Sequence, residues 1–311
     1  MKIFNNFTIS KKYKRSSLAV GNFDGVHKGH QKVFKYAKEF SKKTKSKFGI
    51  LTFSPLPVMF FNKKIRNYRL SSEDEKFRLL KKFGADFVVN AKFNKNFSKL
   101  SAEYFIKNII YKKINPKRIF VSNNFKFGNK RKGNINLLKK FEKRCNYQLL
   151  KISPYKYKKK IVSSTRIRKL LQKGNINLAS KLLSKTWLVD GYVIKGKKLG
   201  RKLGYRTCNI RIKNYLLPKA GIYAVKISMK NKKLYPGVAY LGSRPTFKGK
   251  EVLLEVNIFG IKKNLYKKKL RVYFIKFIRE DKKFKSLLGL VKQMNKDIIS
   301  AKKGLKGNIV I

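Results

Sequence analysis

Residues 16–34 read SSLAVGNFDGVHKGHQKVF. The first five are β-prone, the last are compatible with a helix, and a glycine-bearing turn joins them. A turn between strand and helix lets backbone amides approach a phosphate closely at the helix start. The chain has two histidines, His27 and His30, and both fall here. Three residues apart at a helix start, they share one face. There they can donate hydrogen bonds to a phosphate whose charge shifts during transfer. Two surface or core histidines would be the plainer explanation. H-x-G-H at a strand-to-helix junction favours phosphate chemistry instead.

Outward from this turn, short β-prone segments alternate with helical ones. FGILTF, ADFVVNAKF, RIFVSNNF and YQLLKIS read as strands. QKVFKYAKEFSKK, SEDEKFRLLKKFG, SAEYFIKNIIYKKI and GNINLLKKFEKRC read as helices. Ser72 and Glu75 have capping-box spacing, and Gly84 supplies a helix stop. The alternation predicts an α/β domain with a Rossmann-like parallel sheet. STRIRKLLQKGNINLASKLLSKTW adds a helix, a GN break and a short helix.

After Trp187 the pattern changes. LVDGYVIKG, GIYAVKISM, YPGVAYLG, VLLEVNIF and LRVYFIKFIRE are strands punctuated by glycine, several alternating apolar with polar residues. Phe284, Leu287, Leu288, Val291 and Ile298 mark one apolar face of a final helix. The expectation is a domain over 1–185 and an antiparallel β-barrel with a terminal helix over 186–311.

Composition sets the outer limits. A chain of 311 residues with 42% hydrophobic and 13% aromatic residues is expected to fold as two domains. The start, MKIFNNFTISKKYKR, does not read as a secretory signal. No apolar run approaches ~18 residues, so no membrane association is expected. Cys145 and Cys208 lie far apart and build neither a disulfide framework nor a cysteine-rich metal site. A cytoplasmic location fits. Eighty Lys and Arg against fourteen Asp and Glu give a net charge of +66. Nucleic-acid binding is one explanation. Compositional drift toward Lys, Asn, Ile, Phe and Tyr is the better one, because the basic residues are spread over the whole chain. No dedicated nucleic-acid partner is expected, although anionic substrates would be attracted.

Two further stretches carry chemistry. In VSSTRIR, Ser163, Ser164 and Thr165 offer hydroxyls and amides before a helix, and Arg166 and Arg168 offer guanidinium groups suited to phosphate. An ordinary cap followed by a solvated basic face fits equally well. In GKKLGRKLGYRTCNI, Gly196, Gly200 and Gly204 can shape a loop around phosphates, and Thr207 and Asn209 are oxygen donors suited to Mg²⁺. In isolation such a stretch is more often a plain loop. Glu255, in the strand LLEVNIF, is a candidate general base, or else a cross-strand partner for a lysine.

The string GNFDGVHKGH resembles the H-x-G-H nucleotidyltransferase superfamily, in its bacterial FAD synthetase branch. The resemblance continues in order through LTFSPLPV, FSKLSAEYF, VSNNFKFGNKRKGN and VSSTRIRKLLQKGN. The second half resembles flavokinase through LPKAGIYAV, GSRPTF, LLEVNIF and FIREDKKF. This implies a bifunctional enzyme that uses ATP to turn riboflavin into FMN, then FMN into FAD with release of pyrophosphate. It implies His27 and His30 as catalytic phosphate ligands. Gly21, Asn22, Phe23, Asp24 and Gly29 would shape the ATP pocket, and Ser163, Ser164, Thr165 and Arg168 would grip the triphosphate. In the kinase it implies Glu255 as base, Thr207 and Asn209 at Mg²⁺-ATP, and Arg279 near the flavin. Leu56, Ser122 and Asn124 replace the family's usual histidine, glycine and aspartate. The hallmark P-T-A-N becomes Arg206-Thr207-Cys208-Asn209, so the fixed φ of proline is lost. The alternatives are an adenylyltransferase whose kinase is impaired, or a basic nucleic-acid-binding protein on this scaffold.

Overall fold

The β-prone segments of the first half pair into one parallel sheet. Its strands are β1 (Lys2–Phe4), β2 (Ser17–Val20), β3 (Phe48–Ser54), β4 (Phe87–Lys92), β5 (Arg118–Ser122) and β6 (Gln148–Ile152), in the order β1-β4-β3-β2-β5-β6. The structure is a computed structural model that describes residues 1–65, 67–196, 203–229, 233–246, 249–261 and 263–306. Strand alternation sends Leu18 and Val20 to one face and Ala19 to the other, and both faces are buried. Leu51, Phe53, Val89 and Val121 join the first layer, and Ile50, Val88 and Phe120 join the second. A parallel sheet covered on both faces gives the continuous apolar runs seen in the sequence.

The helices follow the sequence reading, with differences of winding and length. Helix Glu73–Lys82 ends at Gly84, whose φ of +86° lets the N–H of Ala85 return to the carbonyl of Leu80. In this helix Glu75 is bound by both forks of Arg78 at 2.8 and 2.9 Å. The stretch after Ser101 begins as an α-turn. It then winds more widely over Phe105–Ile114, where the N–H of Asn115 bonds five residues back to Ile110. The helix expected within 133–145 covers only Ile135–Lys140, capped by Asn134.

A short antiparallel pair, β7 (Lys156–Tyr157) and β8 (Lys160–Ile161), follows the sheet, and a closed antiparallel barrel forms the second half. β9 (Leu188–Ile194), β10 (Thr207–Arg211), β11 (Gly221–Ser228), β12 (Leu234–Thr246), β13 (Gly249–Ile258) and β14 (Lys269–Arg279) close in the order β10-β13-β12-β11-β14-β9. Ile210, Tyr223, Val225, Leu254, Val256, Val272 and Phe274 are buried within this unit.

By packing, 1–66 with 73–163 form one unit and 67–72 with 164–311 form the other. The helices Ser164–Gln172 and Ile176–Leu183 therefore pack with the barrel unit, whereas the sequence reading grouped them with the first domain. Residues 67–72 belong there too: Trp187 Nε1 donates to Leu70 O at 3.0 Å, and Ser72 Oγ donates to Asp190 at 3.1 Å.

The terminal helix, Leu287–Gly304, corrects one expectation. Leu287 and Leu288 are 64% and 68% exposed rather than buried. The helix seats instead through Ala301, which packs with Ala224, and through the buried carboxylate of Asp297. Arg279 grips that carboxylate with Nε at 2.8 Å and Nη2 at 2.7 Å. Leu305, just past the helix, joins Ala301 in that cluster, and Val291 and Ile298 of the expected face are half-buried, so the ion pair adds to a narrower apolar contact.

Candidate active sites

Setting β1 aside, the parallel sheet reverses its strand order between β2 and β5. Loops leaving the carboxyl ends of those two strands diverge there and open a crevice, the usual ligand position in such sheets. Gly21 to His27 leave β2, and Ser122 to Asn124 leave β5. The turn after β2 is tightly wound, with positive φ at Phe23 (+49°), Gly25 (+77°) and Val26 (+47°). For β-branched Val26 that backbone is strained, as often occurs where a turn must aim functional groups. Phe23 is buried and lies against Phe34 with ring centroids 4.7 Å apart.

His27 caps the helix Lys28–Lys43. Its Nδ1 accepts from the N–H of Gly29 at 3.1 Å and of His30 at 3.4 Å. A neutral imidazole that accepts at Nδ1 carries its proton on Nε2. The helix start therefore selects the tautomer that donates from Nε2. The His30 ring stacks on His27 with centroids 3.6 Å apart, and the edge of Phe23 meets it at 5.2 Å. A Cβ on Gly29 would lie 3.0 Å from the His27 ring and 3.1 Å from the carbonyl of Val162, so this position holds space for the imidazole. Asp24 is buried in the turn and Asn22 is exposed at its mouth. Gly21 donates its N–H to Leu51 O at 3.0 Å.

Beneath the turn runs a chain the sequence reading missed. Lys76 Nζ donates to Thr52 Oγ1 at 3.3 Å, and that hydroxyl donates to the carbonyl of Asn22 at 3.0 Å. Thr52 is fully buried and Lys76 is 4% exposed. A second missed feature follows β3. Phe61, 67% exposed, adjoins Phe60 and Phe93, with the three centroids 5.3 to 5.7 Å apart. The run VMFF after TFSPLP was the available signal. Leu56 is buried just before the short helix Pro57–Phe61, and Ser122 Oγ bonds Asn124 Oδ1 at 3.1 Å.

The VSSTRIR element is divided between the units. Ser163 closes the first; Ser164, Thr165 and Arg168 lie on the opening turns of helix Ser164–Gln172 in the second. Arg168 is 8% exposed, donates to Tyr68 O at 3.0 Å and stacks over the Tyr68 ring at 3.7 Å.

In the barrel, β10 lies between β9 and β13. Asn209 stands opposite Glu255, and Thr207 opposite Asn257. Directly opposed residues of antiparallel strands share a face, so Thr207, Asn209 and Glu255 are brought together. Asn209 is buried, and its Oδ1 has no hydrogen-bond partner among the described residues. Gly196 makes the room, because a Cβ there would come within 1.6 Å of Asn209 Nδ2. An oxygen with unmet acceptor capacity beside a hydroxyl and a carboxylate fits a hard cation such as Mg²⁺. The described residues contain no group of three or more His, Cys, Asp or Glu placed for a metal. Cys208 points to the other face, where its thiol donates to Val256 O at 3.4 Å and burial pushes its pKa up to about 12. Gly204 (φ +83°) turns the chain toward β10, and Gly200 lies outside the described residues.

Arg279 is fully engaged. Besides the Asp297 fork, its Nη1 donates to Glu280 O at 2.8 Å.

Comparison with known proteins gives two family matches. Residues 9–166 match the FAD synthetase model and residues 183–305 the riboflavin kinase model. A bifunctional riboflavin kinase/FMN adenylyltransferase from Buchnera aphidicola subsp. Schizaphis graminum is 41% identical over 95% of this chain and 96% of its own. The protein of that description from Escherichia coli K12 is 32% identical over 92% and 91%. A crystal structure from Streptococcus pneumoniae, described as a macrolide-efflux protein, superposes with a TM-score of 0.84 at 28% identity, covering 98% of this chain and 99% of that one. Among the described residues, no helix is long and apolar enough to cross a membrane.

Proposed function

The chain belongs to the family of bifunctional riboflavin kinase/FMN adenylyltransferases, and from that premise we propose how its own residues divide the two reactions. The enzyme transfers the γ-phosphoryl group of ATP to riboflavin, then joins the resulting FMN to the adenylyl group of a second ATP, releasing pyrophosphate. Residues 1–185 carry the adenylyl transfer and 186–311 the kinase.

In adenylyl transfer, an FMN phosphate oxygen attacks the α-phosphorus. His27 donates from Nε2 to a phosphate oxygen as charge builds on it, and His30 presents its imidazole beside it. Gly21, Asn22, Phe23, Asp24 and Gly29 hold the turn's shape. Ser163, Ser164, Thr165 and Arg168 serve the departing pyrophosphate end of ATP. The Phe60–Phe61–Phe93 cluster, exposed at Phe61, gives the flat flavin ring an apolar surface. The observation that carries this half is the Nδ1 acceptor geometry of His27.

In the kinase, Glu255 accepts the proton of the riboflavin 5′-hydroxyl as that oxygen attacks the γ-phosphorus. Thr207 and Asn209 hold Mg²⁺, which when bound neutralises phosphate charge. Gly196, Gly200 and Gly204 shape the loop around the nucleotide. Arg279 serves the flavin side indirectly, by fixing the terminal helix through Asp297. Asn209→Ala is expected to raise the Mg²⁺ concentration for half-maximal FMN formation by at least about tenfold. An unchanged Mg²⁺ titration would contradict the assignment.

We place the reactions in the cytoplasm and assign the positive charge no dedicated nucleic-acid role. RNA and duplex DNA are expected to bind weakly, without sequence preference, and to dissociate as salt rises. Sequence-selective, submicromolar binding at physiological salt would show the opposite.

A further inference from the structure

Asn257 donates from Nδ2 to the backbone carbonyl of Arg206 at 2.8 Å. That carbonyl immediately precedes Thr207, and Thr207 is paired in register with Asn257 itself. The bond closes where the chain enters β10, two residues before Asn209. Gly204 sits at φ +83° with open space around its Cα, and no ring fixes φ at Arg206. Tyr205 Oη is tied to Asn295 Oδ1 at 2.7 Å on the terminal helix, which anchors a side chain rather than the strand entrance. The amide of Asn257 acts on the backbone itself.

We propose that Asn257 is a positioning residue of the kinase site. It fixes the Arg206 carbonyl and so sets the direction in which Thr207 and Asn209 present their oxygens. Its hydrogen bond restrains this strand entrance through the Arg206 carbonyl, where a proline ring at 206 would restrain it through φ. The inference rests on the reading of Thr207 and Asn209 as the Mg²⁺-ATP ligands. Because it concerns orientation of the nucleotide and not the reacting hydroxyl, its loss is felt in Mg²⁺-ATP binding more than in turnover.

The test compares FMN formation by Asn257→Ala, Asn257→Asp, Arg206→Pro, the double variant Asn257→Ala/Arg206→Pro, and Asn209→Ala. FAD formation from supplied FMN is measured in each preparation and should stay at the wild-type level. Asn257→Ala is expected to raise KM for Mg²⁺-ATP about fivefold, the worth of one hydrogen bond, with kcat changed less than about twofold. Asn257→Asp, which sets a carboxylate against the carbonyl, should raise KM further while keeping the side chain's size. Arg206→Pro alone should leave KM near wild type, and in the double variant it should restore most of the loss. A wild-type KM in both Asn257 variants, beside a clear Asn209→Ala defect, would overturn the inference alone. A defect in Asn257→Ala that Arg206→Pro fails to reverse would overturn it too. Asn209→Ala with unaltered Mg²⁺ dependence would remove the metal reading and the inference with it.

Discussion

His27→Ala and His30→Ala should each lower the rate of FAD formation from FMN by about 10²–10³, while FMN formation from riboflavin continues unchanged. The size follows from removing a preorganised donor at an oxygen that gains charge in the transition state. His27 is held by two backbone N–H groups of its own helix, so its Nε2 proton is in place before substrate arrives. His30 is stacked on that ring at 3.6 Å and braced by Phe23. His27→Asn, which can still cap the helix but lacks the Nε2 donor, should lose as much activity as His27→Ala. Both variants should stay folded, because the sheet core does not depend on either ring. Near-wild-type FAD synthesis in folded alanine variants would sink the assignment of this turn.

Glu255→Gln should suppress FMN formation from riboflavin by about 10²–10⁴ and leave FAD formation from supplied FMN intact. Glutamine keeps the shape and hydrogen-bonding reach of the side chain but cannot accept the proton of the attacking hydroxyl. Glu255 lies opposite Asn209 on β10 and opposite Tyr240 on β12, so the substitution leaves the barrel's registers in place. Single-turnover measurement with riboflavin and Mg²⁺-ATP gives the chemical step directly. An undiminished step would assign the proton transfer to another group.

How much of this was legible in the sequence depends on which kind of signal each feature leaves. The parallel sheet and the barrel were readable because both repeat a local pattern many times. The histidine turn was readable because histidine is otherwise missing from the chain, so two at a strand-to-helix junction stand out. Lys76 had no such contrast: among eighty basic residues a buried lysine under the turn looks like any other. The seating of the terminal helix was misread for a physical reason. Of the expected face, Phe284, Val291 and Ile298 are half-buried but Leu287 and Leu288 are exposed, and the buried Asp297 is met by Arg279, eighteen residues away. The pairing of Asn209 with Glu255 is a matter of strand register across 46 residues, which no local pattern encodes. Arg168 stood out for its guanidinium, but no local pattern marks Tyr68, a hundred residues earlier, as the group that holds it.

One chain is expected to perform both steps on one flavin. The most direct measurement incubates the purified protein with riboflavin, ATP and Mg²⁺ and separates riboflavin, FMN and FAD over time. The account predicts that FMN appears first and FAD follows, with pyrophosphate released as FAD forms. If the protein converts supplied FMN to FAD but makes no FMN from riboflavin under the same conditions, the kinase half of the account is wrong and the chain is an FMN adenylyltransferase alone.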